Sequence, residues 1–233
     1  MNLNIVDGII ILLLVMGFVS GFKRGVVKQG VLTFGTILVV VLAFLFKNPL
    51  SMMLYKHCPF FTVGLLKNYS ILNILLYELI SFFILLSIFS LLLAIIIKIS
   101  GVIERFLRST VILALPSRLL GGVLGVVEFY IFTFVLLLIV TMPIFSISSH
   151  EFLTESKYKD KILNNTLMIS HLSGGMVKSV NEINGLLNDE EKLGTNKFNC
   201  KALNIFVENK IVSEESINYL KDNNKIDFPC KIK

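Results

Sequence analysis

The chain has 233 residues, 55% of them hydrophobic and only 16% charged, with a mean hydropathy of +0.79. A soluble domain carries about 25% charged residues, so the composition excludes an ordinary water-soluble globule for most of the chain. The net charge of +6 is not gathered into a basic block interleaved with aromatics, which argues against a nucleic-acid partner and leaves the positive charge as a topology signal.

Four apolar stretches, 3–19, 26–46, 71–97 and 119–142, occupy the first part of the chain. About 20 apolar residues match a hydrocarbon layer of about 30 Å. Lipid offers the backbone no hydrogen-bond partners, so each stretch is predicted to be a helix. The fold class is therefore an all-α integral membrane protein. A four-transmembrane-helix bundle over 1–147 is followed by a small, partly flexible helical C-terminal tail over 148–233, where Lys, Asn, Glu and Ser take over.

The first stretch is preceded by Asn2, Asn4 and Asp7 where a secretory signal has basic residues, so it reads as a retained span. It ends at Gly21-Phe22-Lys23-Arg24-Gly25, and the next begins at once, which predicts a tight hairpin. The second is expected to stop at Lys47-Asn48-Pro49, since proline breaks a helix interior. Residues 50–70 then read as a loop lying on the membrane or the bundle, with apolar patches at Met52, Met53 and Leu54 and at Phe60 and Phe61.

After the third stretch, Ile99, Val102, Ile103, Phe106 and Leu107 recur at helical spacing, while Lys98, Glu104, Arg105 and Arg108 fill the other face. That pattern suits an amphipathic helix in the headgroup plane; the plainer reading is an extension of the third span. Pro116-Ser117-Arg118 opens the fourth stretch and Pro143 closes it. In the tail, Val177, Val180, Ile183, Leu186 and Leu187 are helically spaced, and Ile162, Leu163, Leu167 and Leu172 more loosely so, which predicts a weakly packed helical appendage.

Lys23, Arg24 and Lys28 flank the first turn, and Lys98, Arg105, Arg108 and Arg118 lie between the third and fourth stretches. The opposite side carries the dispersed Lys47, Lys56 and Lys67, and Lys157, Lys159 and Lys161 in the tail count against the bias. The denser set is expected in the cytoplasm, so both termini are expected outside it. Lys23, Arg24, Arg105, Arg108 and Arg118 would then form a cytoplasmic basic rim for anionic lipid headgroups.

Gly17, Gly21 and Gly25 repeat every four residues, as do Gly121 and Gly125, which predicts close helix packing. Asp7, Glu78 and Glu128 interrupt apolar runs. A charge at membrane depth costs about 2.5–3.5 kcal/mol on insertion scales, and no lysine or arginine inside the stretches is evident as a partner. Two readings follow: a polar pathway for protons or ions, or carboxyls at the interface and, for Glu128, a group protonated or hydrogen-bonded between helices.

GxSxG, HExxH and P-loop spacings are lacking, and His57, His150 and His171 are isolated, so no catalytic residue, cofactor or metal is predicted. Of Cys58, Cys200 and Cys230, the last two are able to bridge in an oxidising compartment, and free thiols are the other reading.

Asp7, Gly17, the Gly21–Gly25 turn, Gly30 and Gly35, followed much later by Pro116-Ser117-Arg118-Leu119-Leu120-Gly121-Gly122-Val123-Leu124-Gly125, resemble the colicin V production protein (CvpA) family over about residues 1–145. The resemblance implies a bacterial inner-membrane protein with four spans, associated with toxin or bacteriocin production or secretion and with envelope homeostasis. Some members carry a serine-protease domain after the spans; this tail is too short for one. The function expected is non-enzymatic, with lipid and a further copy or another membrane protein as partners. The alternative is a small oligomeric channel or transporter built on the intramembrane carboxylates.

Overall fold

The computed structural model describes residues 4–100, 114–144, 153, 155–165, 170–188, 194–226 and 230. Among these, every regular element is a helix: α1 Ile5–Arg24, α2 Val26–His57, α3 Leu65–Asn68, α4 Ile71–Ser100, α5 Ala114–Val140, α6 Lys157–Asn165, α7 Ser170–Asn188, α8 Thr195–Glu208 and α9 Glu214–Asp222. Helices α1, α2, α4 and α5 are long and apolar enough to cross a membrane. The chain is an all-α membrane protein.

The local chemistry sets the ends of these helices. Asn4 caps α1 by accepting a hydrogen bond from the Val6 amide at 3.4 Å, and Asp7 lies in the first turn while Lys23 and Arg24 lie in the last. That charge order complements the helix dipole. Gly25 alone separates α1 from α2, at φ 75°, a left-handed conformation that only glycine adopts without penalty. The described part of helix α5 runs from Ala114 and contains Pro116 near its start.

Helix α2 corrects the expected stop at Pro49. It continues through that residue to His57, so 50–57 is helical and the loop is confined to the residues between α2 and α4 around the short α3. The Leu45 carbonyl loses its usual donor, yet Ser51 and Tyr55 beyond the proline are both fully buried. Tertiary contacts of the last turns outweigh the local defect. The helix has 32 residues, about 48 Å at ~1.5 Å per residue, longer than the ~30 Å hydrocarbon layer.

Two compact units make up the chain. One contains α1, the first part of α2, the last part of α4, α5 and α6. Its core includes Val6 and Ile10 of α1, Val39 and Val40 of α2, and Ile131, Phe134 and Leu138 of α5, with Ile162 and Leu163 of α6 also buried. Its exposed surface includes Leu12, Met16, Leu91, Ile95, Leu119 and Val123, side chains that hydrocarbon covers without penalty.

The other unit contains the end of α2, the start of α4, α3, and α7 to α9. Tyr55, Ile71, Leu72, Leu75, Phe198, Leu203, Phe206, Ile217 and Leu220 are all buried at 1% exposure or less. Tyr69 and Phe198 pack with ring centroids 4.3 Å apart. Asn73 holds the loop before α4 by accepting from the Phe61 amide at 2.8 Å and donating to the Leu66 carbonyl at 3.3 Å. The expectation of a weakly packed tail is thus corrected for α8 and α9, whose apolar faces have a shared core. Val177, Val180 and Ile183 of α7 are buried as their spacing predicts. Cys200 and Cys230 form a disulfide, with Cα atoms 5.3 Å apart, and Cys58 is free.

The amphipathic segment after α4 lies outside the described residues beyond Ser100, and with it Glu104, Arg105 and Arg108. His150 and Leu167 lie outside them too.

Candidate functional site

The two glycine stripes predicted from spacing face one another. A Cβ placed on Gly17 would lie 2.6 Å from the Gly125 carbonyl oxygen, and one on Gly121 would lie 2.6 Å from the Gly21 carbonyl oxygen and 2.9 Å from the Gly25 Cα. Helices α1 and α5 therefore touch backbone to backbone in an antiparallel register. The joint is closed by Ser117, whose hydroxyl accepts from the Val26 amide at 3.3 Å.

Each carboxylate within the apolar stretches is met by protein donors. Asp7, 5% exposed, accepts from the Ser156 hydroxyl at 2.5 Å and from the Tyr158 amide at 3.2 Å, which ties the first turn of α1 to the start of α6. Glu128 accepts from the Gln29 side-chain amide at 2.5 Å, and Arg24 stands 3.5 Å away. Gln29 also donates to Thr33 at 3.2 Å, and the Thr33 hydroxyl donates to the Leu124 carbonyl at 3.2 Å. Gln29 and Thr33, essentially buried, form a polar ladder along α2 against α5.

The densest cluster surrounds Glu78, which is fully buried. Its Oε2 accepts from the Lys47 ammonium at 2.5 Å, and its Oε1 from the Ser51 hydroxyl at 2.5 Å and the Tyr55 hydroxyl at 2.9 Å. Lys47 has three N–H donors, and they are spent on Glu78, on Asn48 Oδ1 at 2.8 Å and on the Ile211 carbonyl at 3.0 Å. Just beyond, the Lys225 ammonium donates to the carbonyls of Tyr55 and Cys58, filling the unpaired carbonyl end of α2 as a C-terminal cation does.

The expectation that no basic residue is available to the acids of the apolar stretches is therefore corrected: Lys47 partners Glu78, and Arg24 partners the partly exposed Glu128. Lys47 was concealed because the apparent stop at Pro49 put it at a helix end. With α2 continued, Lys47, Ser51 and Tyr55 fall four residues apart on one face, and Gln29 and Thr33 show the same interval. Ser156 carries no local signal, being 149 residues from Asp7.

Of the predicted basic rim, Lys23 and Arg118 are exposed, and Arg24 is partly exposed while reaching toward Gln29 and Glu128. Among the described residues, no group of three or more His, Cys, Asp or Glu side chains is placed to hold a metal ion.

The four-span part of the chain has known relatives. The chain matches the family described as Colicin V production protein over residues 6–167, more than half its length. It belongs to that family. A relative in Bacillus subtilis (strain 168), named "Uncharacterized transmembrane protein YshB", is 32% identical over 171 residues, which is 71% of this chain and 93% of the relative. No solved structure matches the chain. The match to the colicin V production family takes in all four spans, the glycine contact, the Lys47–Glu78 pair and the Asp7–Ser156 contact. It ends before α7, so Ile211, Lys225 and the disulfide lie beyond it.

Proposed function

We propose that this colicin V production family member is a non-enzymatic protein of the bacterial inner membrane, with both termini extracytoplasmic. It supports toxin or bacteriocin production or secretion and envelope homeostasis as a rigid four-span scaffold. The observation that carries this reading is that Asp7, Glu78 and Glu128 each accept from donors of the chain itself, Glu78 through both of its oxygens. A conduction path keeps its carboxylates open to water and to the moving ion, whereas Asp7 and Glu78 are buried and all three are engaged by donors of the chain.

The orientation is supported by the Cys200–Cys230 bridge, which persists only on an oxidising side, and by the cations around Lys23 and Arg118. On the cytoplasmic side those cations, with Arg105 and Arg108, bind anionic headgroups at about 1 kcal/mol each.

Two measurements test the proposal. Proteoliposomes of the purified protein are expected to pass neither protons nor alkali cations; a flux abolished by Glu128→Gln would install the channel reading in its place. In intact spheroplasts, a membrane-impermeant maleimide is expected to label Cys58 directly, and Cys200 and Cys230 after treatment with an impermeant phosphine. Labelling only after lysis would reverse the orientation. Purification in mild detergent with identification of co-purifying proteins then finds the partner.

A further inference from the structure

The far end of α2 is met by α4 through Glu78 and by a second set of residues, all of which lie between the two bridged cysteines. Ile211, whose carbonyl takes a proton of Lys47 at 3.0 Å, lies there. Lys225, which donates to the carbonyls of Tyr55 and Cys58, lies there too, and its ammonium stands 5.7 Å from the Phe60 ring centroid. Tyr219, with the Lys56 ammonium 5.5 Å from its ring centroid, is a third. The closed ring is pinned on its α8 side by Phe198, which lies two residues before Cys200, is 1% exposed and packs on Tyr69. The far end of the segment is held by Cys230.

We infer that the Cys200–Cys230 disulfide is a thiol–disulfide switch that latches the α8–α9 cap onto the end of α2 and fixes the hydrogen bonding of the buried Lys47. The inference rests on the proposed orientation in so far as a bridge must form in the cell before a dithiol is able to open it. Reduction by a dithiol transfers two electrons and two protons: the S–S bond breaks, each cysteine sulfur gains a hydrogen, and the dithiol closes into its own disulfide. Oxidation by a protein or small-molecule disulfide runs the exchange in reverse.

With the bridge closed, the segment carrying Ile211, Tyr219 and Lys225 is tethered at both ends and the α2 carbonyls stay capped. With it open, the link from Cys230 to α8 is lost and the segment is held by its chain connection to α8 and by the packing of Ile217 and Leu220. Local openings of the cap then become frequent, the third Lys47 proton passes from Ile211 to water, and the Lys47–Glu78 pair becomes hydrated. The switch thus converts a sealed ion pair into a wet one without altering any spanning residue.

The test uses the full chain in lipid nanodiscs, acylated with an amine-reactive ester with and without dithiothreitol and read by peptide mass spectrometry. Acylation of Lys47 and Lys225 is expected to rise about tenfold or more on reduction, as local opening gives access. The exposed Lys197 should be unchanged, and the rise should reverse on reoxidation. Cys58→Ser keeps the response. Cys200→Ser with Cys230→Ser gives the high labelling with or without dithiol. Equal acylation of Lys47 and Lys225 in the oxidised and reduced wild type overturns the switch, as does a response lost in Cys58→Ser. Maleimide trapping in spheroplasts judges the orientation separately. If the thiols are found free in cells while the nanodisc response holds, the orientation falls and the latch stands.

Discussion

Replacing Gly21 by alanine puts a methyl group where α1 and α5 leave no space for one. The new Cβ would run into the Gly121 carbonyl oxygen and lie 2.9 Å from both the Gly121 carbonyl carbon and the Gly125 Cα. All three are backbone atoms, so no rotamer change relieves the clash. Carbon–carbon contact is comfortable from about 3.5 Å, so the helices must part by roughly 0.6 Å or more at that point. The parting is shared by the neighbouring contacts of Gly17 with Gly125 and of Phe18 with Gly122. A gap of 0.5–1 Å forfeits about a quarter to a half of each dispersion well, and in lipid no hydrophobic term compensates.

Overpacking of this kind costs about 1–3 kcal/mol. With several contacts loosened together, Gly21→Ala is expected to lose about 2–3 kcal/mol, a roughly 30- to 160-fold change in the folding equilibrium. Gly8→Ala is the control, because nothing lies within 4 Å of a Cβ there and alanine improves helix propensity by about 0.5–1 kcal/mol. Both variants and wild type would be unfolded reversibly by titrating sodium dodecyl sulfate into non-ionic micelles, with helicity followed by circular dichroism. If Gly21→Ala unfolds at the same surfactant fraction as Gly8→Ala, the helices are not in backbone contact and the argument fails.

Other substitutions probe the polar contacts. Glu78→Gln leaves a buried ammonium without its counter-charge and should cost about 3–5 kcal/mol, whereas Glu78→Gln combined with Lys47→Met should cost less than that single change; additivity in the same unfolding assay would refute a direct pair. Arg24→Gln should cost under about 1 kcal/mol, because the pair is partly exposed and Gln29 still holds Glu128. Gln29→Leu should cost more than Arg24→Gln, since it removes the shorter bond from a buried group, and a reversed order would move the anchoring role to Arg24. Cys200→Ser with Cys230→Ser opens a link between residues 30 apart and should lower the stability of the α8–α9 region by about 3.6 kcal/mol from chain entropy, seen as faster proteolysis there with the spans intact; unchanged proteolysis would count against the bridge as a stabilising element.

The spans were legible because lipid imposes one requirement on every residue of a long segment, and hydropathy adds up over twenty positions. The α1–α5 contact was legible as far as its residues, since an interval of four places Gly17 and Gly21 on one face and Gly121 and Gly125 on another. Their pairing across helices was not written in either stripe. The end of α2 was misread because proline carries a strong local signal, while the burial of Ser51 and Tyr55 against Glu78 depends on a helix still absent from the chain at that point. That error hid Lys47 as well, and the polar interval Lys47–Ser51–Tyr55 became readable only once the helix was allowed to continue. Ser156, Ile211 and Lys225 were out of reach, because each acts on a residue about 150 positions or more away, where periodicity carries no information. For the cysteines, sequence left two readings open and the fold chose the bridged one.

The Lys225 cap also has a consequence for biosynthesis. Tyr55, whose carbonyl it fills, precedes it by 170 residues. At about 5–20 residues per second, a ribosome needs roughly 10–30 s to travel that distance. During this interval the nascent hairpin of the first two helices must remain in the bilayer with one end unfinished, so the last stage of maturation is the arrival of a distant lysine rather than membrane insertion.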